Sequence, residues 1–394
     1  MKMYKILIAI CLIGCAGSPS VDCSSNNIGG GSNGCGTGGT GSTIPSSTIT
    51  SVALGTQFTC ASFANNTAKC WGINADGELG NGTTTNSIAP TLVSVNNISN
   101  IAAGYTSACA TTTDGSVWCW GKNQFGETTG VSGVIYPNPI KVAGITNSSR
   151  VLMGDDFTAT LNKDGTVSCW GSSNAAQCGV ISTTSVSPMT VAGITDAVSL
   201  AVGSSSSCVI TKTGTVKCWG TYCSSSSVCS NYTTPITLGT SSGSFESATQ
   251  VSVGLWTSFV INQGGYYSFG YNKDGELANN TTTDSMSVST PITAFSNPSV
   301  IAGGAFYTCV VQNGTVWCVG KNDHGQLGNG TTNSSTIPVQ VPGITNANYV
   351  YPKQLATCAI LQSGSLVCWG SNTFGELGNG TTVSSNVPVN VVGL

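Results

Sequence analysis

The chain has 394 residues, a formal charge of −3 and only 7% charged side chains, against roughly 25% in an average soluble domain. Ser, Thr, Asn and Gly carry the polar surface instead. There is no basic patch of the kind that tracks a phosphate backbone, so nucleic acid is excluded as a partner.

The N-terminus reads as a targeting signal. Lys2 and Lys5 precede an apolar run from Ile6 to Ile13 that is too short to span a bilayer. The run ends in Leu12-Ile13-Gly14-Cys15, which resembles a bacterial lipobox. That resemblance implies a lipoprotein signal peptide over 1–14, lipid on Cys15, and attachment to the cell envelope at the outer membrane or cell surface. The alternative is an ordinary secretory signal cut near Gly17. Loss of Lys2 and Lys5 moves the formal charge from −3 to −5. Residues 15–48 then form a lipidated Cys and a Gly/Ser-rich tether, too poor in apolar residues to fold. Cys23 and Cys35 lie in this tether, and whether they are bridged stays open.

From 49 to 394 the chain repeats. Cys-Trp-Gly occurs at Cys70, Cys119, Cys169, Cys218 and Cys368, with Ser268-Phe269-Gly270 and Cys318-Val319-Gly320 as degraded copies. The middle residues stand at 71, 120, 170, 219, 269, 319 and 369, so the period is 49 or 50. A fixed period of this size signals a repeat architecture, and a closed array counts as one domain.

Most repeats carry a second cysteine 9 or 10 residues before the first: Cys60/Cys70, Cys109/Cys119, Cys208/Cys218, Cys309/Cys318 and Cys358/Cys368. Turn chemistry lies between them. Asn313-Gly314 sits midway between Cys309 and Cys318, so a two-residue hairpin sets them opposite each other on adjacent strands, about 4.5–5.5 Å apart at Cα. The spacing is too long for a zinc knuckle, and the single histidine cannot complete several metal sites. Disulfides are therefore expected, and with them an oxidising compartment. In the third repeat Ala159 replaces the first cysteine, and Cys178 becomes the expected partner of Cys169. In the fourth, Cys223 and Cys229 staple a replacement loop. In the fifth, Phe259 and Ser268 stand where the pair would be.

The sixth repeat shows the unit. Val300–Gly303 is a short apolar segment, Tyr307–Gln312 and Thr315–Gly320 form a hairpin, a Gly-studded loop follows, and Ile337–Val341 is a last strand. Four short strands in about fifty residues make one propeller blade. The stretch Trp-Gly-x-Asn-x-x-Gly-Glu/Gln-Leu-Gly-Asn-Gly-Thr, seen at 71–83, 369–381 and, with Val for Trp, 319–331, resembles the regulator of chromosome condensation repeat. The resemblance covers about 49–394 and implies an all-β, seven-bladed β-propeller. The last repeat stops before its final apolar segment and Ile49–Gly55 supplies one, so closure is expected through pairing of the N- and C-terminal strands.

No catalytic constellation emerges. His324 sits alone in a Gly-rich turn and is expected to face solvent. Asn74-x-Asp76-Gly77, Asn272-x-Asp274-Gly275 and Asn322-Asp323 hint at calcium loops but lack the later ligands. Glu78, Glu127, Glu276, Gln326 and Glu376 share one repeat position; mixed Glu and Gln there suggests hydrogen bonding to loop backbone rather than acid–base chemistry. No enzyme activity, cofactor or metal is expected. Phe58, Tyr105, Phe157, Trp256, Phe306 and Tyr307 lie at the turn before the second strand of their repeats. They are expected either to gather on one face as a ligand-binding surface or to pack between blades. The sequence thus reads as a surface-anchored, monomeric binding scaffold for a protein or glycan, reaching the membrane through its lipid alone. The alternatives are an inhibitor of a secreted or periplasmic enzyme, as the resemblance to secreted members that inhibit β-lactamases implies, and a structural envelope protein. The nuclear member's nucleotide-exchange activity is not expected of an acidic, exported, disulfide-rich chain.

Overall fold

The computed structural model describes residues 47–225, 228–240, 243–262, 265–285, 294–295 and 298–394. The expected signal peptide, Cys15, Cys23, Cys35 and the tether as far as 46 lie outside them. The described residues form strands, turns and loops without a helix. Seven of their antiparallel sheets are arranged in a ring, a seven-bladed β-propeller, and Gly239–Thr240 pairs with Gly243–Ser244 as a short two-stranded ribbon.

Each blade is one contiguous meander. Blade 1 uses Ile49–Leu54, Phe58–Phe63, Ala68–Gly72 and Ser87–Leu92 in that spatial order, from the channel outward. Blades 2, 3, 4, 6 and 7 repeat this order from Ile98, Ser148, Ala197, Val300 and Ala347. In blade 5 three strands span Ala248–Val253, Thr257–Asn262 and Gly265–Gly270, and a Gly270–Ser285 bridge marks the fourth position.

Burial explains the strand sequences. The second strand of each blade is covered on both faces by neighbouring blades, so it reads as a run without polar alternation; all six residues of Phe58–Phe63 and of Ser107–Thr112 are buried. The outer strands meet water and are half-exposed. The hairpin between the second and third strands turns through positive φ, at Asn66 in blade 1 and at Asn313-Gly314 in blade 6.

That hairpin pairs Cys309 with Cys318, and the same register pairs Cys60 with Cys70, Cys109 with Cys119, Cys208 with Cys218 and Cys358 with Cys368. All five pairs are disulfides with Cα atoms 4.0–4.1 Å apart. Cys169 bonds instead to Cys178 in the loop that follows its strand. Phe259 and Ser268 face each other at the corresponding place in blade 5. In blade 4 the third and fourth strands lengthen to ten residues each, with Cys223 in register with Cys229, which is disulfide-bonded. Six defined disulfides place the folded chain in an oxidising environment.

Ring closure differs from the expectation. The first strand, Ile49–Leu54, belongs to its own blade and pairs with Phe58–Phe63; the last, Ser385–Asn390, pairs with Leu366–Gly370. The chain ends do not share a sheet. Because each blade is complete in itself, the seam closes by packing: Ile49, Val52, Leu54 and Trp71 form one core with Cys358, Ile360 and Leu377.

A clasp repeats at this seam and at most other junctions. The indole N–H of Trp120 donates to the Glu78 carbonyl of the preceding blade at 2.8 Å, Trp170 to Glu127 at 3.0 Å, Trp219 to Gln177 at 2.8 Å and Trp369 to Gln326 at 2.9 Å. Trp71 completes the circle by donating to the Glu376 carbonyl at 2.9 Å. The Gly-rich loop that presents this carbonyl also lies on the next blade's outer strand. A Cβ on Gly77, whose φ is +82°, would sit 2.6 Å from Pro137 Cα, so only glycine permits the approach.

Candidate functional face

In a four-strand meander the first turn and the third connection fall at the same end of the blade. Here they are tied together in every blade. The residue after the repeat's Gly donates its N–H to the turn before the second strand: Ile73 to Gln57, Lys122 to Thr106, Ser172 to Asp156, Thr221 to Ser205, Tyr271 to Trp256, Lys321 to Phe306 and Ser371 to Leu355. Seven turns and their loops thus surround one mouth of the central channel. Neighbouring turns also bond to each other, through Thr56 N–H to the Tyr105 carbonyl, Tyr105 N–H to the Asp155 carbonyl and Leu255 N–H to the Gly304 carbonyl.

The six aromatic candidates divide into two groups. Phe58, Phe157 and Tyr307 begin the second strand and are buried. Their rings lie where a side chain on Gly55, Gly154 or Gly304 would stand. The Tyr307 hydroxyl donates to the Ala356 carbonyl at 2.8 Å and accepts from the Lys353 N–H at 3.2 Å. These three are framework, not ligand contacts: a residue at the start of a doubly covered strand points between blades. Tyr105 and Trp256 are exposed and Phe306 is half-buried, because they stand one or two positions earlier, in the turn itself.

Trp256 and Phe306 occupy equivalent turns of blades 5 and 6 and meet edge to face, with centroids 5.4 Å apart. A third ring joins them. Tyr271 lies 5.4 Å from Trp256 and 6.2 Å from Phe306, and the Lys321 ammonium sits 5.5 Å from the Phe306 centroid. Tyr271 was missed in the sequence reading. The signal was available: it follows the repeat's Gly, where other blades have Ile73, Lys122, Ser172, Thr221, Lys321 or Ser371. Across the mouth the character changes. Blade 3 presents Asp155 and Asp156, and burial followed by the Asp155 charge pushes the Asp156 carboxyl up to about 6. The face is therefore lopsided, aromatic and cationic at blades 5 and 6, acidic at blade 3.

The titratable residues beneath the face serve the loops. Glu78, Glu127 and Glu276 are buried, and each accepts the N–H two residues before it, from Asp76, Phe125 and Asp274, at 2.7–2.9 Å. Burial pushes all three carboxyls up to about 7. Gln177 and Gln326 make the same bond with an amide oxygen. Asn74, Asn272 and Asn322 are buried too; their Oδ1 atoms accept the Leu79, Leu277 and Leu327 N–H groups, and their Nδ2 atoms donate to loop carbonyls. Side chains committed at both ends are loop framework rather than cation ligands. His324 is exposed. Among the described residues no group of three or more His, Cys, Asp or Glu is placed to hold a metal ion.

Family models for the Regulator of chromosome condensation (RCC1) repeat match residues 49–78, 98–127 and 197–225 in one form and 313–356 and 363–394 in another. The matched stretches of the propeller are RCC1 repeats. No curated protein matches the sequence. Among solved structures, human WBSCR16 superposes with a TM-score of 0.68 at 20% identity, covering 82% of this chain and 92% of that one. Prp20p from Saccharomyces cerevisiae gives 0.50 at 19% identity, covering 88% and 77%. The ectodomain of the receptor kinase CR4 from Physcomitrella patens gives 0.50 at 17%, covering 82% and 74%. At these identities the likeness is one of fold.

Proposed function

We propose that this chain is an exported, non-enzymatic binding protein that holds a protein partner against the blade 5 and 6 side of its loop face. The observation that carries this reading is the Trp256–Tyr271–Phe306 cluster with Lys321 beside it. Large rings held edge to face on a rigid turn lose little entropy on binding and bury much apolar area, which is how binding hot spots are built. The fold supports the reading at a coarser level, since the Prp20p structure was described together with that protein's binding to Gsp1p and histones. The buried, loop-bound carboxylates offer no converging acid, base or nucleophile on this face. The lipobox-like Leu12–Cys15 stretch supports lipidation at Cys15, with the Gly/Ser-rich segment as a tether to the cell surface.

The test is a pull-down from the native surroundings with the oxidised mature chain as bait. A parallel bait changes Trp256, Tyr271 and Phe306 to Ala, and a third changes only Tyr105. A protein held by the first and third but lost from the second places the contact. A partner retained by all three removes the cluster from the reading, and a carbohydrate-dependent capture would point to a glycan instead. Mass spectrometry of the N-terminal peptide checks the anchor: an unmodified Cys15, or cleavage elsewhere, excludes it.

A further inference from the structure

Residues of six blades line one open cavity in the bore of the ring, of about 180 Å³. Part of its wall is apolar, formed by residues such as Leu54, Ile101, Leu152, Ala302 and Val350. Its polar side chains are Ser252, Tyr351, Lys353 at the mouth and, on the inner strand of blade 3, Arg150. It is the only arginine in the sequence.

Its position is informative. The inner strands of the other blades carry Ser51, Asn100, Ser199, Gln250, Val300 and Tyr349 at the matching place. Asn100 and Gln250 use it to bond the next blade's backbone, at Val151 N–H and the Ile301 carbonyl. Arg150 instead reaches into the bore. Its charge is felt by the phenol of Tyr351, on the inner strand of blade 7 and three junctions away around the ring; burial pushes that phenol up and Arg150 opposes the push. An arginine keeps its charge in a poorly hydrated place, and its five donors can serve protein groups and a ligand together. Arg150 does have interactions within the protein.

The bore is reachable. Gly303, Pro352 and Lys353 line both this cavity and the recess at the loop-face mouth. An apolar cavity of about 150 Å³ accommodates a six-carbon ring, so a space of this size suits a ligand of similar bulk. A fully hydrated dianion such as phosphate gains nothing from the apolar part of the wall. We propose that the channel is a binding site for a small monoanion with an apolar body, its carboxylate on Arg150 and its hydrocarbon against the inner strands.

Benzoate is the probe, with benzyl alcohol and inorganic phosphate as comparisons at matched ionic strength. Calorimetric titration of the oxidised mature chain should give one saturable benzoate site, with benzyl alcohol at least tenfold weaker and phosphate weaker still. Arg150→Gln should lose tenfold or more, while Arg150→Lys should lose less. Nuclear Overhauser contacts in the unsubstituted protein should connect the benzoate ring to the methyls of Ala102, Ala302 and Val350, which keeps the test decisive if a variant fails to fold. The Trp256/Tyr271/Phe306 triple variant should bind benzoate unchanged, so this site stands or falls apart from the protein-binding face. No benzoate binding at 10 mM, equal binding by Arg150→Gln, contacts located elsewhere or a preference for phosphate would each overturn the proposal.

Discussion

The Trp clasp makes a graded prediction that separates hydrogen bonding from simple packing. At the junction of blades 1 and 2, the Trp120 indole is the sole side-chain donor to the Glu78 carbonyl among the described residues, since Ala108 stands where a hydroxyl would be. At the seam of blades 7 and 1, the Glu376 carbonyl has two donors, Trp71 at 2.9 Å and Thr59 Oγ1 at 2.9 Å. Trp71→Phe removes one bond, about 1 kcal/mol, and some packing, about 1 kcal/mol more. Its carbonyl keeps a partner. Trp120→Phe incurs the same losses and also leaves a buried carbonyl unpaired, a further ~1–3 kcal/mol. The expected costs are thus about 2 kcal/mol for Trp71→Phe and about 3–5 kcal/mol for Trp120→Phe. Adding Thr59→Val to Trp71→Phe should cost more than the sum of the singles, by about 1 kcal/mol or more. Guanidinium denaturation without reductant, followed by circular dichroism, measures all four against the exposed control Trp256→Phe. Equal costs for Trp71→Phe and Trp120→Phe, together with an additive double variant, would refute the clasp and leave only ring packing.

Three further outcomes follow from the same geometry. Burial holds the Glu78, Glu127 and Glu276 carboxyls up at about 7, above the free value of 4.5, so the folded state binds their protons more tightly than the unfolded state does. Their stabilisation is full below pH 4.5, is lost as pH rises through 7 and changes no further above that. Glu→Gln at all three, the amide that Gln177 and Gln326 already supply, should flatten the loss between pH 4.5 and 7 in pH-dependent thermal melts; an unchanged slope would count against it. Replacing Cys309 and Cys318 with Ser should lower stability by about 2–3 kcal/mol, as expected for a ten-residue loop, and make blade 6 the first to exchange amide hydrogens; exchange spread evenly over the ring would contradict it. Gly77→Ala should cost more than ~1 kcal/mol, because the residue has positive φ and abuts Pro137 Cα; Gly144→Ala, also at positive φ but with nothing within 4 Å, should cost less.

The ring was legible because its signals are local. A period of 49 or 50, a turn centred between paired cysteines and a Gly-rich loop after each Trp-Gly each depend on a few neighbouring residues. Closure was not legible. The last repeat's missing segment and Ile49–Gly55 look interchangeable in a linear pattern, and only the register of Ile49–Leu54 with Phe58–Phe63 decides that the blade begins there. The binding face was half legible for a similar reason. Phe306 and Tyr307 are adjacent, yet one lies in the turn and the other begins a doubly covered strand, so a one-residue difference separates surface from framework. Tyr271 escaped because its relation to Trp256 runs through a loop-to-turn backbone bond across the sheet end, not through sequence proximity.

The junctions without a Trp clasp fall in one sector, and that sector carries the aromatic cluster. Blade 4 has a long hairpin in place of its Gly-rich loop, so among the described residues no clasp carbonyl is offered to blade 5, and blade 5 has Phe269 in place of Trp. The lost hydrogen bond is replaced by a stack of Phe269 on Tyr222, with centroids 6.0 Å apart. Blade 6 has Val319, and among the described residues Thr308 alone bonds the Glu276 carbonyl, at 2.6 Å. Blades 1, 2, 3, 4 and 7 keep both a disulfide and a clasping Trp. A closed ring tolerates altered junctions because the blades on either side are fixed by their other neighbours. The turns of blades 5 and 6 are then released from the common pattern, and those are the turns bearing Trp256 and Phe306. Seven equivalent turns would offer a partner seven equivalent sites; one aromatic sector offers a single, off-axis site. Binding through it should therefore saturate at one partner per ring, and a higher stoichiometry would move the contact to the repeating loops.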